Sequence, residues 1–160
     1  MTAGGSSILE VQCLLAVLAT RRRAAEAGTA FGEGAEAMAR TAASVVTVEL
    51  DPERAALAAE RLAPCENVEL LVGDWRVLLP PRGPFDLLFL DAGGFKHAPA
   101  EGEDLVLGLL VPGGLLVMDD LTPDSPGFDP VREWSRRQPR VEAVEVLTTP
   151  ATSVLVIARL

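Results

Sequence analysis

Six acidic residues are the part of this sequence best placed to do chemistry. Glu26, Glu49, Asp74, Asp91 and the pair Asp119-Asp120 each fall at or near the end of a segment that reads as a β-strand. In an open α/β sheet, ligands bind beyond the carboxyl ends of the strands. One acid after a strand is ordinary turn or cap chemistry; a succession of strands ending this way points to a site. The stretch Glu26-Ala27-Gly28-Thr29-Ala30-Phe31-Gly32-Glu33-Gly34 follows the first strand. Its glycines let the backbone turn tightly and approach a ligand closely, although the spacing is not the GxGxxG dinucleotide fingerprint. Glu49 lies 21 residues after Gly28, where an acid can accept hydrogen bonds from both ribose hydroxyls of a nucleoside. Glu49 is not needed as a helix cap, because Asp51 already precedes Pro52 there.

The elements that must position these acids alternate. Ser7 and Glu10 form a capping-box pattern ahead of Val11, Leu14, Leu15 and Leu18, which predicts a helix ending at Arg21–Arg23, where positive charge suits a C-terminus. Ala24–Gly28 reads as a short strand, Gly34–Ala43 as a helix and β-branched Ser44–Leu50 as a strand. Asp51-Pro52 opens a helix that continues through Ala55–Leu62. Val68–Val72 is a strand ending at Gly73-Asp74, and Phe85–Leu90 is a strand ending at Asp91. Leu105–Leu110 reads as helical, Leu115–Met118 as a strand running to Asp119-Asp120, and Pro130–Arg137 as a helix. Val141–Leu147 and Ser153–Ala158 are strands joined by Thr148–Thr152. The early strands are apolar on both faces, which means a parallel sheet covered on both sides. The last two are too close in sequence for a parallel crossover, so they pair antiparallel.

Composition narrows the class. The 160 residues carry a net charge of −9, one Lys (Lys96), one His (His97) and no Tyr, with a pI near 4.6. With 49% apolar residues the chain is no disordered segment, and its length suits one domain with a real core. There is no repeat or linker, so residues 1–160 read as a single unit: an N-terminal helix over 1–22 and an α/β core over 23–160. The acidic balance argues against unspecific binding of nucleic acid or anionic membranes. Cys13 and Cys65 stand 52 residues apart with no CxxC, which excludes a thiolate zinc site and points to a reduced, cytoplasmic protein. Ile8–Leu18 is too short and too interrupted by Glu10 and Gln12 to be a membrane span or a signal peptide.

With these segments in this order, the chain resembles the class I S-adenosylmethionine-dependent methyltransferases, and in particular the cation-dependent O-methyltransferases of the catechol and caffeoyl-CoA type. The similarity is carried by EAGTAFGEG (26–34), VTVELDPERAALA (46–58), VELLVGDW (68–75), GPFDLLFLDAGG (83–94) and PGGLLVMDDLTP (112–123). The resemblance implies a Rossmann-like three-layer sandwich: a mostly parallel seven-stranded sheet of order 3-2-1-4-5-7-6 with an antiparallel last strand. It implies that Gly28 and Gly32, with Glu26 and Thr29 in the same loop, line the methionine part of S-adenosylmethionine. Glu49 would hold its ribose, and Asp74 with Trp75 would meet its adenine; Asp91 would border cofactor and cation alike. Asp91, Asp119 and Asp120 would be the oxygen ligands of a divalent cation such as Mg²⁺. The chemistry agrees, because three converging carboxylates repel one another and a hard cation removes that cost. A cation can also make a substrate hydroxyl easier to deprotonate.

The chain departs from the family pattern at several points. Ala30 stands where the wider class usually has its middle glycine, and Asp119-Asp120 replaces the commoner Asp-Asn. The family's basic residue comes three positions after the Asp equated with Asp91, which here is Gly94; Lys96 and His97 follow. Either of these two could take the substrate proton or orient the substrate, alongside Asp91. Phe95, Trp75 and Trp134 are candidate apolar walls, with Trp134 better suited to the core or an interface. Family members carry further helices ahead of the one at Ser7, so the acceptor pocket is expected to be open or completed by a second subunit in a homodimer. The leading expectation is a small hydroxylated, phenolic or catechol-like acceptor. A tRNA hydroxyl methyltransferase, disfavoured by charge, and a non-catalytic cofactor-binding or interaction domain are the alternatives. A nicotinamide-dependent oxidoreductase ranks last, on glycine spacing.

Overall fold

Short apolar and β-branched runs build the frame, and helices cover it on both sides. The computed structural model describes residues 7–124 and 127–160. Its strands are β1 (Arg23–Ala27), β2 (Ser44–Glu49), β3 (Val68–Val72), β4 (Phe85–Leu90), β5 (Leu110–Leu121), β6 (Val141–Thr149) and β7 (Thr152–Arg159). They form one seven-stranded sheet of order β3-β2-β1-β4-β5-β7-β6. The first five strands are mutually parallel; β7 runs antiparallel between β5 and β6. This is the order and polarity that the family resemblance implies, with the closing hairpin that the short connection demands.

Strand alternation sends successive side chains to opposite faces. Ala24, Val45, Leu87, Phe89 and Val117 pack with Val11, Leu15, Met38 and Ala58, which come from α1 (Leu9–Leu18), α2 (Glu33–Ala39) and α3 (Pro52–Leu62). Ala25, Ala27, Leu88, Leu90, Leu116 and Met118 pack on the other face. There they meet α5 (Pro99–Gly108) and α6 (Pro130–Arg137) through Val106, Leu107, Val131 and Trp134, while α4 (Trp75–Leu78) adds partly buried contacts. Central strands β1 and β4 are therefore buried on both sides.

Some boundaries shift for local reasons. The Ser7–Glu10 capping box does not form: α1 begins at Leu9, Ile8 is its N-cap and no side chain caps it. Gln12 Nε2 instead donates to the Ser7 carbonyl (2.7 Å). The helix stops at Leu18, ahead of the arginines, yet Arg22 Nη1 donates to the Leu18 carbonyl (2.7 Å) and so supplies the expected charge at that end. The α2 helix ends at Ala39 rather than Ala43. α5 starts at Pro99, with proline in its first turn, and closes at Gly108, so that β5 begins at Leu110 rather than Leu115. By contrast Asp51 caps α3 as its sequence requires, accepting from the amides of Glu53 (2.8 Å) and Arg54 (3.4 Å). Cys13 and Cys65 are both free. Among the described residues, no helix is long and apolar enough to cross a membrane.

Candidate active site

The carboxyl ends of β1, β2, β3, β4 and β5 open into one cleft of about 790 Å³. On one side, Gly28 follows β1 with φ +97, and a Cβ there would meet the Ala92 nitrogen at 3.1 Å and the Asp91 carbonyl carbon at 3.2 Å. Only glycine lets the tails of β1 and β4 approach this closely while taking that turn. Glu49, at the end of β2, is buried but borders the cleft. Its Oε2 accepts from the Ala30 amide (2.8 Å) and its Oε1 from the Asp51 amide (3.0 Å). Those bonds fix the carboxylate, and each oxygen keeps a further lone pair for a ligand hydroxyl. Ala30 holds φ +49 to present that amide, the left-handed conformation that a glycine would take without strain. At the end of β3, Asp74 and Trp75 also line the cleft. Asp74 caps α4 through the Arg76 amide (2.9 Å) and pairs with the Arg76 guanidinium (2.6 Å), which holds its carboxyl below the ordinary value.

The other side is acidic. Asp91, at the end of β4, and Asp119 and Asp120, near the end of β5, each present a carboxylate oxygen within 4.8 Å of the others. An irregularity in the β5–β7 register between Met118 and Leu121 makes this possible. Asp120 sits there at φ +59, which short polar residues tolerate best, so consecutive acids serve one point. Asp119 is 5% exposed, and its Oδ1 is buried without a hydrogen-bond partner. Burial raises its pKa, and the facing charges of Asp91 and Asp120 raise it further. Burial also raises that of Asp91, against the opposing pull of Lys96. Lys96 Nζ stands 3.6 Å from Asp91 Oδ1 and 3.7 Å from Asp119 Oδ1. An oxygen-only donor set, partly buried and incompletely satisfied, fits a hard dication.

A family profile described as a methyltransferase domain matches residues 25–121, the segment that holds every acid of this cleft. The chain belongs to the methyltransferase-domain family. The curated protein-L-isoaspartate O-methyltransferase 1 of Anaeromyxobacter sp. (strain Fw109-5) is 34% identical over 99 residues, covering 60% of this chain and 44% of that protein. The chain thus spans less than half the length of that relative. The structure of the O-methyltransferase TomG from Streptomyces achromogenes, involved in tomaymycin synthesis and solved in complex with SAM, superposes with a TM-score of 0.71 at 28% identity, covering 94% of this chain and 78% of TomG. The O-methyltransferase from Bacillus cereus in complex with SAH gives a TM-score of 0.74 over 99% of this chain and 84% of its own. At 22% identity that likeness speaks for the fold.

Not every residue expected at the site of this methyltransferase domain reaches the cleft. Glu26 is 1% exposed and points to the α2 face, because strand alternation turns it away from Ala25 and Ala27. Its Oε2 accepts from Thr47 Oγ1 (2.5 Å), and its Oε1 lies against Gly34, where a Cβ would clash with it. Burial pushes Glu26 up to about 8, against the lowering effect of the Thr47 bond. Thr29 is buried behind the loop, bonded to Thr47 Oγ1 (2.5 Å). Gly32 faces α3, with Arg61 Cδ at 3.2 Å from a would-be Cβ. These three support the loop and do not line it. His97 also parts from Lys96: it lines a separate groove with Phe128, Pro130 and Trp134. Trp134 is core, edge-on to Phe95 (centroids 5.3 Å apart, 84° between planes), with Nε1 donating to Glu103 (2.7 Å). Sequence reasoning missed Leu50, Arg54, Gly73, Arg76 and the α5 residues Glu101, Gly102 and Leu105 as cleft lining. Proline at the first turn of α5 was the one signal that could have brought that helix forward.

Proposed function

We propose that this domain transfers the methyl group of S-adenosylmethionine to an oxygen of a small hydroxylated acceptor, phenolic or catechol-like, with help from a divalent cation held by Asp91, Asp119 and Asp120. The observation that carries the reading is the unpartnered, buried Oδ1 of Asp119, which converges with Asp91 and Asp120, two acids that line the same cleft as Glu49 and the Gly28 turn. When bound, the cofactor supplies an electrophilic methyl on sulfur and the cation supplies a Lewis acid for the acceptor oxygen. In the net reaction the O–CH₃ bond forms as the S–CH₃ bond breaks, and the acceptor hydroxyl gives up its proton.

This chain's own residues prepare that step. The Gly28 turn lets the backbone approach the methionine end of the cofactor, and Glu49, locked by two amides, accepts from the ribose hydroxyls. Trp75 and Phe95 offer apolar surface beside the cleft and exclude water from it. The three aspartates fix where the acceptor oxygen sits, so that oxygen, methyl and sulfur can line up.

Calorimetry with S-adenosylmethionine, with and without Mg²⁺, tests the first half; no heat at millimolar cofactor sinks the reading. A methyl-transfer screen over catechols, other phenols and an isoaspartyl peptide tests the second. Transfer to phenols that survives EDTA unchanged removes the cation from the proposal. Transfer to the peptide alone replaces the phenolic acceptor with the protein carboxyl that the curated relative's name describes.

A further inference from the structure

Lys96 supplies the charge of a bound cation without its contacts. At 3.6 and 3.7 Å from Asp91 Oδ1 and Asp119 Oδ1, its ammonium is outside the roughly 2.7–3.2 Å of an N–H···O hydrogen bond. Asp119 Oδ1 therefore remains unpartnered with the ammonium beside it. A dication such as Mg²⁺ takes carboxylate oxygens at about 2.0–2.1 Å, and it would take them from the same two aspartates that face the ammonium. Two positive centres on those oxygens in a partly buried site repel strongly. The backbone that carries Lys96 is free to turn: Gly93 and Gly94 precede it, and Gly94 holds φ +104.

We propose that Lys96 is a tethered counter-ion, seated against Asp91 and Asp119 in the metal-free protein and displaced when a dication binds. The proposal rests on reading the three aspartates as a cation site. The cation-competent state is then the one with Lys96 swung out, and the apparent metal affinity is reduced by the fraction of molecules in that state. Gly93, Gly94 and Phe95, just ahead of Lys96 in the chain, line the cleft, so an ammonium released from the aspartates is tethered near it.

The test is a titration of the metal-free protein with Mn²⁺, free Mn²⁺ being read by electron paramagnetic resonance with no cofactor or acceptor present. Lys96→Met should bind Mn²⁺ at least about tenfold more tightly than wild type, and Lys96→Gln should do the same. Lys96→Arg, which keeps a cation on a similar stem, should stay near wild type, and Asp119→Asn should lose the site in either background. Should the neutral variants bind no more tightly than wild type while Asp119→Asn abolishes uptake, the counter-ion proposal falls and the cation site stands. If neither wild type nor the neutral variants take up Mn²⁺ at millimolar concentration, both fall.

Discussion

Glu26 and Asp119 are both acids near the carboxyl ends of parallel strands, both nearly fully buried, at 1% and 5% exposure, and both raised in pKa first by burial. They differ in what surrounds them. Glu26 also feels the charges of Asp91 and Asp119, but the group in direct contact with its carboxyl is the Thr47 hydroxyl, which in turn bonds Thr29, so hydroxyls hold it inside the fold. Asp119 is met by two more carboxylates and a loosely placed ammonium, and one of its oxygens has no hydrogen-bond partner. A buried acid with neutral donors is part of the scaffold. A buried acid whose neighbours are other acids is a demand for a cation, because unsatisfied charge in a low-dielectric site is costly until something binds.

The sharpest way to break this contrast is Asp119→Asn. Methyl transfer to a catechol in saturating Mg²⁺ should fall by about two orders of magnitude, measured with labelled cofactor. The same variant should melt higher than wild type in EDTA, by about 1 kcal/mol, because a buried charge is gone. A lower melting temperature in EDTA would place Asp119 with Glu26 as a structural acid.

Acid–base behaviour tests the Glu26 side. Its folded-state pKa is raised from 4.5 to about 8, so the folded protein holds this proton after the unfolded chain has released it. The stability it contributes is complete below pH 4.5 and is lost as pH rises through about 8. Glu26→Gln should flatten that decline, by up to about 1.4 kcal/mol per pH unit within the window. Under the proposed cation site, saturating Mg²⁺ would hold the aspartate cluster ionised, so the titration is best done in its presence. An unchanged slope would mean that Glu26 is charged in the fold. Thr47→Val should cost about 1–2 kcal/mol in urea denaturation and leave Mn²⁺ uptake intact; lost uptake would mean that the Glu26 hydroxyl chain also supports the aspartate cluster. The smallest effect is expected at Ala30→Gly. Relief of φ +49 should stabilise the protein by about 0.5–1 kcal/mol, net of the extra chain entropy of glycine, with tighter cofactor binding by calorimetry.

Much of the architecture was legible because its signals are local. Val68–Val72, Phe85–Leu90 and Pro130–Arg137 appear with the boundaries that their patterns predict. The Asp51-Pro52 cap works as written, and Thr148–Thr152 is too short for anything but an antiparallel return. Where a local signal had a competitor, the reading slipped. The Ser7 capping pattern yields to a helix that begins at Leu9, and the Gly-Pro-rich stretch before Leu115 hides the first half of β5.

For the site, the sequence by itself determined that acids gather at one edge of the sheet, since it sets both the strand ends and the residues that follow them. That Asp91, Asp119 and Asp120 belong together came only from what the family resemblance implies, and the structure brings an oxygen of each within 4.8 Å of the others. The tertiary structure alone decided which acids face the cleft. Glu26 turns inward through the alternation of β1, Thr29 follows it into a hydroxyl chain, and of the adjacent pair Lys96 turns to Asp91 while His97 lines a separate groove. Side-chain direction depends on register, on the irregularity before Leu121 and on the turn after Gly94. Those features arise only when the strands are packed beside one another, and they separate a carboxylate that supports the fold from one that can hold a cation.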